Sequence, residues 1–539
     1  MTESAATDSG DLNALLAGAV RDAPHGIALI HGDTRMTYGQ LHAQAQALAA
    51  GLRALGVTRG SRVAIALPNM PVWVALQFAC ARIGAIVVAV NTRFRSAELG
   101  DILARSGAQV VVFIDKFRNV DFAGLMSEVA RANLRDVKHW VVCSAGDVGM
   151  LPATLCEIPV IPLQHLAKPA ENAVAGGAED GCVMFTTSGT TSQPKLVLHT
   201  QRSIAHHAQE TARMLGYDAP GSVIQVVTPL CGVSGFGMPF AAIAARAPCV
   251  MPPAFEARTS LDLIVQHRVT HVHANHEIIH RWLEAARDSD DLSSIRVVNC
   301  GSGIASVMDR AARRGIPVLS IYGSSEMQAR FSRQNPGLYP ERRLEAGGFP
   351  LSPHGSVRVA DIDSGCLLPY GEKGELQIRA PSQMQAYFGD AKATARAFNA
   401  DGFVRTGDCG YMRADGSFVL EARIGDVLKL SGFMVSPSEI EAWVMRYPGV
   451  VQCQVVGTPA TQGGQSGAHV KAVAFVRCEV GASFDEARAL QFCWEKIAHY
   501  KVPARIVRLD EFPLTAGANA PKVQKHQLRE MARALGIGA

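Results

Sequence analysis

The chain has 539 residues, more than one hydrophobic core normally holds, so several domains or subdomains are expected. Hydrophobic residues make up 48% and charged residues 19%, a balance that excludes a disordered chain. A net charge of +4 is too slight to point to nucleic acid or an anionic membrane surface.

The 12 Cys are scattered singly, without a CxxC pair, and read as reduced thiols of a cytoplasmic protein. The first apolar run, 14–20, follows Glu3, Asp8 and Asp11, where an export signal needs positive charge. No run reaches the roughly 18 apolar residues of a membrane span, so no integral membrane contact is expected.

From residue 60 the pattern alternates strand and helix. RVAIALP (62–68), AIVVAVN (85–91) and AQVVVFID (108–115) read as strands, with helices at 72–83 and 96–105 between them. Continuous apolar strands between helices imply a parallel sheet covered on both faces. CVMF (182–185) and LVLH (196–199) then flank TTSGTTSQPK (186–195), a loop of hydroxyls and backbone N–H groups ending on Lys195. That composition suits a phosphate cradle. It is not a Walker A loop, which needs glycine and Ser or Thr where Pro194 and Leu196 stand. A second strand series follows at 222–229, 270–275, 295–300 and 318–323. Two such series predict a cleft at the strand ends, where open α/β sheets bind ligands.

After about residue 345 the strands become short, with a turn signal at Asp415-Gly416. Ser436, Pro437 and Glu439 predict a capped helix start. Strands at 451–457, 469–477 and 505–508 and a helix at 484–498 complete a small α+β unit, with the boundary placed near Gly425.

Four further spots carry candidate chemistry. In Tyr322-Gly323-Ser324-Ser325-Glu326, a carboxylate follows a strand end and suits Mg²⁺ beside a phosphate. Thr406-Gly407-Asp408 offers an acceptor for a ribose diol, Arg423 stands just before the boundary, and Lys522 precedes the last helix. Taken singly, each reads equally as an ordinary turn or a solvated charge.

In order along the chain, ARIGAIVVAVNTRFRSAEL (81–99), the hydroxyl loop, YGSSE, GEL, TGD, EARIGDVLKLSGFMVSPSEIE (421–441), YKVPARI (500–506) and PLTAGANAPKVQKHQLR (513–529) resemble the acyl-adenylate-forming superfamily, acyl-CoA synthetase branch. The resemblance implies an α/β fold: a large adenylation domain of layered βα subdomains with mostly parallel sheets (1–424), and a small mobile α+β C-terminal lid (425–539). It implies an ATP-dependent acid–CoA ligase with ATP, Mg²⁺ and coenzyme A as small-molecule partners beside a carboxylic acid, and it leaves a homodimer open. By the same resemblance Thr187, Ser188, Gly189, Thr190, Thr191 and Lys195 embrace the β- and γ-phosphates, and Thr187 and Glu326 serve Mg²⁺. Gly301, Ser302, Gly303, Tyr322 and Gly323 wall the adenine, with Ser325 also binding the cofactor; Asp408 and Arg423 meet the ribose; Lys522 bridges carboxylate and α-phosphate; Gly432 belongs to the thiol-facing loop; Gly425 is the hinge. The acid pocket falls to Gly232, Val233, Phe236, His273, Gly323 and Met327. Val233, Phe236 and Met238 suggest an apolar acid, and Gly232 leaves room for a bulky one.

The sequence departs from the family pattern at Ser192, Leu196, Gly232, Asn275-His276, Pro521 and Gly425, none of which removes a charged catalytic group. Two alternatives stay open. One is an adenylation enzyme that loads a carrier protein; the chain ends at Ala539 without an appended carrier, which favours CoA. The other is a zinc hydrolase built on His271, His273 and His276 of THVHANH, although Asn275 stands where that motif has aspartate. GSGIAS (301–306) imitates a dinucleotide fingerprint but ends on Ser306.

Overall fold

The structure is a computed structural model that describes residues 10–144, 152–169, 173–187, 194–301, 305–430, 433–459, 470–479, 481–515 and 522–536. The chain divides into two compact units, one of residues 1–356 and 378–404, the other of residues 357–377 and 405–539.

The first unit contains the two strand series read from the sequence. In the first, β1 (Arg62–Ala66), β2 (Ile86–Ala89), β3 (Val110–Ile114) and β4 (His139–Cys143) run parallel in the order β2-β1-β3-β4. β5 (Gly181–Thr186) joins parallel to β2, and β6 (Leu196–Thr200) returns antiparallel on β5. The second series is β7 (Ile224–Val226), β8 (His271–Ala274), β9 (Val297–Cys300) and β10 (Val318–Ser324), all parallel, closed by the antiparallel β11 (Gln328–Arg333). A late two-residue strand, β12 (Ala386–Tyr387), pairs antiparallel with β6. The observed strands are shorter than the apolar runs that announced them. Apolar burial continues beyond the last ladder bond, as at Leu67 and Val227, each 2% exposed.

Helix α1 (Pro71–Ile83) starts with proline at its first turn, where the missing N–H costs nothing, and ends on Gly84 with φ +81°. It has no polar face, and every residue from Trp73 to Ile83 is buried. A helix apolar all round belongs between layers. It meets α3 (Val233–Ala245), which follows α2 (Gln201–Met214), through an aromatic cluster. Phe236 lies 5.7 Å from Trp73, 5.1 Å from Phe185 and 4.6 Å from Phe240 between ring centroids. Such pairs add roughly 0.5–1.5 kcal/mol each beyond area burial, and they tie β5, α1 and α3 into one core.

The second unit holds the strands 356–360, 374–379, 404–412 and 418–423, and a three-stranded sheet of Val450–Pro459, Val470–Cys478 and Arg505–Arg508. The helix Pro437–Val444 begins where its sequence signals, but the expected capping box does not form. Ser436 Oγ donates to Glu421 O at 3.0 Å, and Glu439 pairs with Lys501. No described helix is long and apolar enough to cross a membrane.

Candidate active site

The hydroxyl loop springs from the β5–β6 hairpin, whose register carries Thr186 opposite Leu196. Beyond the ladder Thr187 N donates to Lys195 O at 3.0 Å, and Lys195 N donates to Thr187 Oγ1 at 3.2 Å. The two ends of the loop are thus clamped side by side. Ser188, Gly189, Thr190 and Thr191 lie outside the described residues.

Lys195 does not stand alone. Its Nζ sits 4.3 Å from the centroid of the Tyr387 ring. The Tyr387 hydroxyl donates to Glu326 Oε1 at 2.9 Å. A cation on the ring face and a carboxylate on the hydroxyl make one linked set, Lys195–Tyr387–Glu326. β12 holds Tyr387 there: Val197 pairs with Tyr387, Gln385 N donates to Leu198 O, and Phe388 N donates to Leu196 O, both at 2.8 Å. The sequence reading missed Tyr387. Its signal was an aromatic in AYFGD, a segment with no pattern of its own.

The turn bearing Glu326 is fixed from the same side. His199 Nε2 donates to Ser325 O at 2.8 Å, and Met384 N donates to Glu326 O at 2.7 Å. Met327 is fully buried, and its carbonyl accepts from Ser382 Oγ. Tyr322 is buried at the end of β10. A Cβ on Gly323 would overlap Gln328 O and the main chain of Ala329. The close approach that Gly323 permits is therefore made by the chain's own β11. Gly301 directly follows β9; Ser302 and Gly303 lie outside the described residues.

The acid-pocket candidates separate. Gly232 is the N-cap of α3, Val233 is half-buried, and Phe236 is turned into the aromatic core together with the buried Met238. His273 is buried on β8 opposite Asn299 of β9, and its Nδ1 has no hydrogen-bond partner among the described residues. The zinc alternative fails on geometry. His271 Nδ1 bonds Thr270 Oγ1 at 2.7 Å and its ring packs on Tyr217, while His276 opens a helix capped by Asn275. Among the described residues no group of three or more His, Cys, Asp or Glu could hold a metal ion.

In the second unit, the register brings Asp408 opposite Arg423. Arg423 Nε lies 3.0 Å from Asp408 Oδ1, and its Nη1 donates to Thr406 O at 2.7 Å. Asp408 is 4% exposed. Thr406 Oγ1 receives Asp408 N and donates to Leu376 O at 2.6 Å, so the TGD turn is braced on both sides. Gly425 lies in a single 3₁₀ turn, Ile424–Asp426, with nothing within 4 Å of where a Cβ would be. Its carbonyl accepts from Arg529 Nη2 at 3.1 Å, and Asp426 pairs with Arg529 and Lys525. Lys522 opens a two-residue strand paired with Leu514–Thr515, just before the helix Lys525–Ala534. Its side chain and Gly432 lie outside the described residues.

Four histidines of the first unit are buried. Burial holds His199 and His271 down to about 4, and pushes His207 and His273 well below the ordinary imidazole range, helped by the cationic Arg330. All four are therefore neutral at neutral pH.

The AMP-binding enzyme model matches residues 16–388, and the AMP-binding enzyme C-terminal domain model matches residues 439–518. Indoleacetate–CoA ligase of Aromatoleum aromaticum is 30% identical, over 92% of this chain and 93% of its own. Feruloyl-CoA synthase of an Amycolatopsis species is 29% identical, over 94% of this chain and 96% of its own. The ATP-bound structure of MatB from Rhodopseudomonas palustris matches with a TM-score of 0.82 at 24% identity, covering 98% of this chain and 100% of that one, a likeness of fold.

The buried histidines predict a pH dependence of stability. The unfolded chain takes up protons near pH 6.5, whereas His199 and His271 in the folded chain resist until about pH 4. The unfolded state binds more protons in that window, so stability falls as pH drops from 6.5 towards 4, by on the order of 1 kcal/mol per pH unit per histidine. Urea midpoints at pH 7.5, 6 and 5 should decline in that order, and His271→Phe should flatten the slope. Midpoints that stay constant from pH 7.5 to 5 would contradict the burial of neutral imidazoles.

Proposed function

The chain belongs to the AMP-binding enzyme family, and from that premise we propose that it is an AMP-forming acid–CoA ligase. A carboxylate oxygen attacks the α-phosphorus of ATP, the bond from that phosphorus to the bridging oxygen breaks, and pyrophosphate leaves. The thiol of coenzyme A then attacks the acyl carbonyl, a C–S bond replaces the C–O bond to AMP, and the thiol proton passes to solvent. The observation that carries the reading at the level of residues is the Lys195–Tyr387–Glu326 set at the foot of the hydroxyl loop.

Each group has a physical task. Two anions must meet, and the leaving group gathers negative charge. Thr187 and Lys195 hold the ends of a loop whose N–H and hydroxyl groups embrace that charge. Asp408, kept in place by Arg423, accepts from the ribose diol. Lys522 draws carboxylate and α-phosphate together. Glu326 fits the Mg²⁺ that the family implies: its carboxylate takes one hydrogen bond from Tyr387 and no ion pair among the described residues. One carboxylate beside phosphate oxygens is the usual Mg²⁺ environment, and Thr187 is the second candidate. When bound, the ion neutralises phosphate charge.

A CoA substrate and twelve cysteines outside any disulfide support a cytoplasmic setting. A carrier protein is the alternative acceptor. AMP release that requires free CoA supports the ligase, and release that requires a carrier supports the alternative.

Three variants test the roles. Tyr387→Phe keeps the ring under Lys195 but frees the Glu326 carboxylate. Losing a hydrogen bond to a charged group, about 1.5–3 kcal/mol, should slow pyrophosphate exchange at least tenfold and raise the Mg²⁺ needed, with little change in Tm. An unchanged Mg²⁺ dependence would make Tyr387 merely structural.

Lys522→Ala should cost adenylation about 3 kcal/mol or more, while thioester formation from supplied acyl-AMP survives far better. An equal fall in both half-reactions would remove Lys522 from the chemistry.

Gly425 is the proposed hinge, because one small domain carries both Lys522 and the thiol-facing loop around Gly432, and both cannot serve one cleft at once. Rotation needs a few backbone dihedrals to change, and glycine permits both signs of φ. Gly425→Pro fixes φ near roughly −65°. Adenylation should persist within a few fold while thioester formation falls by orders of magnitude. Small, equal effects on both would place the turning point elsewhere.

A further inference from the structure

Gln328 opens β11 with φ +63°, in the left-handed region. Glycine, asparagine and aspartate enter that region readily, and a glutamine there is uncommon. The register explains the backbone. Ser324 pairs with Gln328, so Ser325, Glu326 and Met327 form a three-residue hairpin loop. Tight loops of that length close through a left-handed residue, where glycine is favoured. The backbone would therefore accept glycine, and the side chain has to account for the glutamine. Gln328 is 2% exposed, and its Nε2 donates to Ser203 O at 3.3 Å, in the first turn of α2.

Ser203 belongs to a braced corner. Thr200 ends β6 and caps α2: its Oγ1 accepts from Ser203 N at 3.1 Å, and Ser203 Oγ donates to Thr200 O at 3.0 Å. The other end of the hairpin loop is held from the same corner, where His199 Nε2 donates to Ser325 O at 2.8 Å. Glu326 thus stands in a loop with both ends tied to the β6–α2 corner. β6 is also the strand into which Lys195 and the hydroxyl loop run. Two residues further on, the buried Arg330 makes a similar contact: Nη1 donates to Ser234 O at 3.1 Å, in the first turn of α3, while Nε and Nη2 have no hydrogen-bond partner among the described residues. Backbone strain held in place by a buried side-chain bond, two residues from a candidate ligand, marks a position kept for its geometry.

We propose that Gln328 is a positioning residue for adenylation: it takes up an unfavourable backbone conformation so that its amide ties the Glu326 loop to α2, and this fixes the Glu326 carboxylate with respect to the clamped loop ends at Thr187 and Lys195. The inference rests on the reading of Glu326 as the Mg²⁺ carboxylate and adds a residue that the motif order does not name.

Two substitutions separate the tie from the fold. Gln328→Gly suits the left-handed backbone and deletes the tie. Gln328→Met keeps the length and the buried volume but has no N–H to donate. ATP is titrated calorimetrically into each protein, once with excess Mg²⁺ and once with EDTA, and Tm is recorded alongside. Mg²⁺ should tighten ATP binding to the wild type. In both variants that gain should shrink by about fivefold or more, with Kd in EDTA within about twofold of wild type and little change in Tm. Glu326→Gln should remove the same gain, and adding Gln328→Gly to it should cost nothing further, because a residue acting through Glu326 has no effect once the carboxylate is gone. An unchanged Mg²⁺ gain, equal weakening with and without Mg²⁺, additive losses in the double variant, or loss of the fold in both single variants overturns the inference. Wild-type ATP binding that ignores Mg²⁺ overturns the role of Glu326 as well and leaves the ligase to stand on CoA-dependent AMP release. No ATP binding in either condition overturns the ligase reading too.

Discussion

The site depends on a set of hydrogen bonds that lock the edge of one strand series to the end of the other. β6 and β12 belong to the first sheet; the Ser325–Met327 turn ends the second series. Between them run His199 Nε2 to Ser325 O, Met384 N to Glu326 O, Tyr387 Oη to Glu326 Oε1, and Gln328 Nε2 to Ser203 O. Two of these use main-chain acceptors of the turn itself, so the turn cannot move without breaking them. Buried or half-buried, they are shielded from water, and each is worth more than at a surface. A neutral His199 is part of the device: burial disfavours the imidazolium, so the ring carries a single proton, on the Nε2 that donates to Ser325 O.

The arrangement puts precision where the chemistry needs it. The proposed phosphate-binding loop needs fixed ends. Thr187 and Lys195 are anchored by their own hairpin, and Glu326 by Tyr387 and the main chain. The second unit follows the same logic with different parts. Asp408 is nearly buried while Arg423 is more than half exposed, so the acceptor is held by a cation that solvent still screens. That contact contributes orientation more than stability. Asp426 joins the segment around Gly425, the proposed hinge, to the helix that follows Lys522, through Lys525 and Arg529. Any dihedral change at Gly425 is therefore transmitted within that unit to the strand carrying the lysine.

Much of this was legible in the sequence, and what escaped has a physical reason. The parallel strands announced themselves because burial on both faces demands apolar runs, as in VVVFI of β3. The order of motifs carried the family. The expectation of an apolar acid leaned on VSGFGMPF, which shows which residues are apolar and not which face of α3 meets the core; Phe236 and Met238 point inward. The close neighbour of the Gly323 backbone is β11, where Gln328 and Ala329 return against it through a bulge that no periodicity reveals. The Ser436 capping box does not form, and the hydroxyl instead donates to Glu421 O, fifteen residues earlier, a tertiary contact that local spacing does not reveal. Tyr387 and Arg330 escaped because their partners are distant in sequence and their own segments carry no signature.

Arg330 is the residue for which stability gives no account. Burying a guanidinium without a counter-ion costs several kcal/mol even after relaxation, and burial duly depresses its proton affinity. One hydrogen bond to Ser234 O, about 1.5–3 kcal/mol for a charged donor, offsets only part of that. A methionine of similar length would fill the same space at no electrostatic cost, and replacing buried charges by apolar side chains of like volume is often neutral or stabilising. Gly237 sharpens the point: an alanine there would improve α3 by its helix propensity, roughly 1 kcal/mol, yet would collide with Nη2. Two positions, one on α3 and one on β11, thus give up stability for the same guanidinium edge. A folded-state explanation has to find the compensation among the protein's own groups, and the described residues supply none to Nε or Nη2.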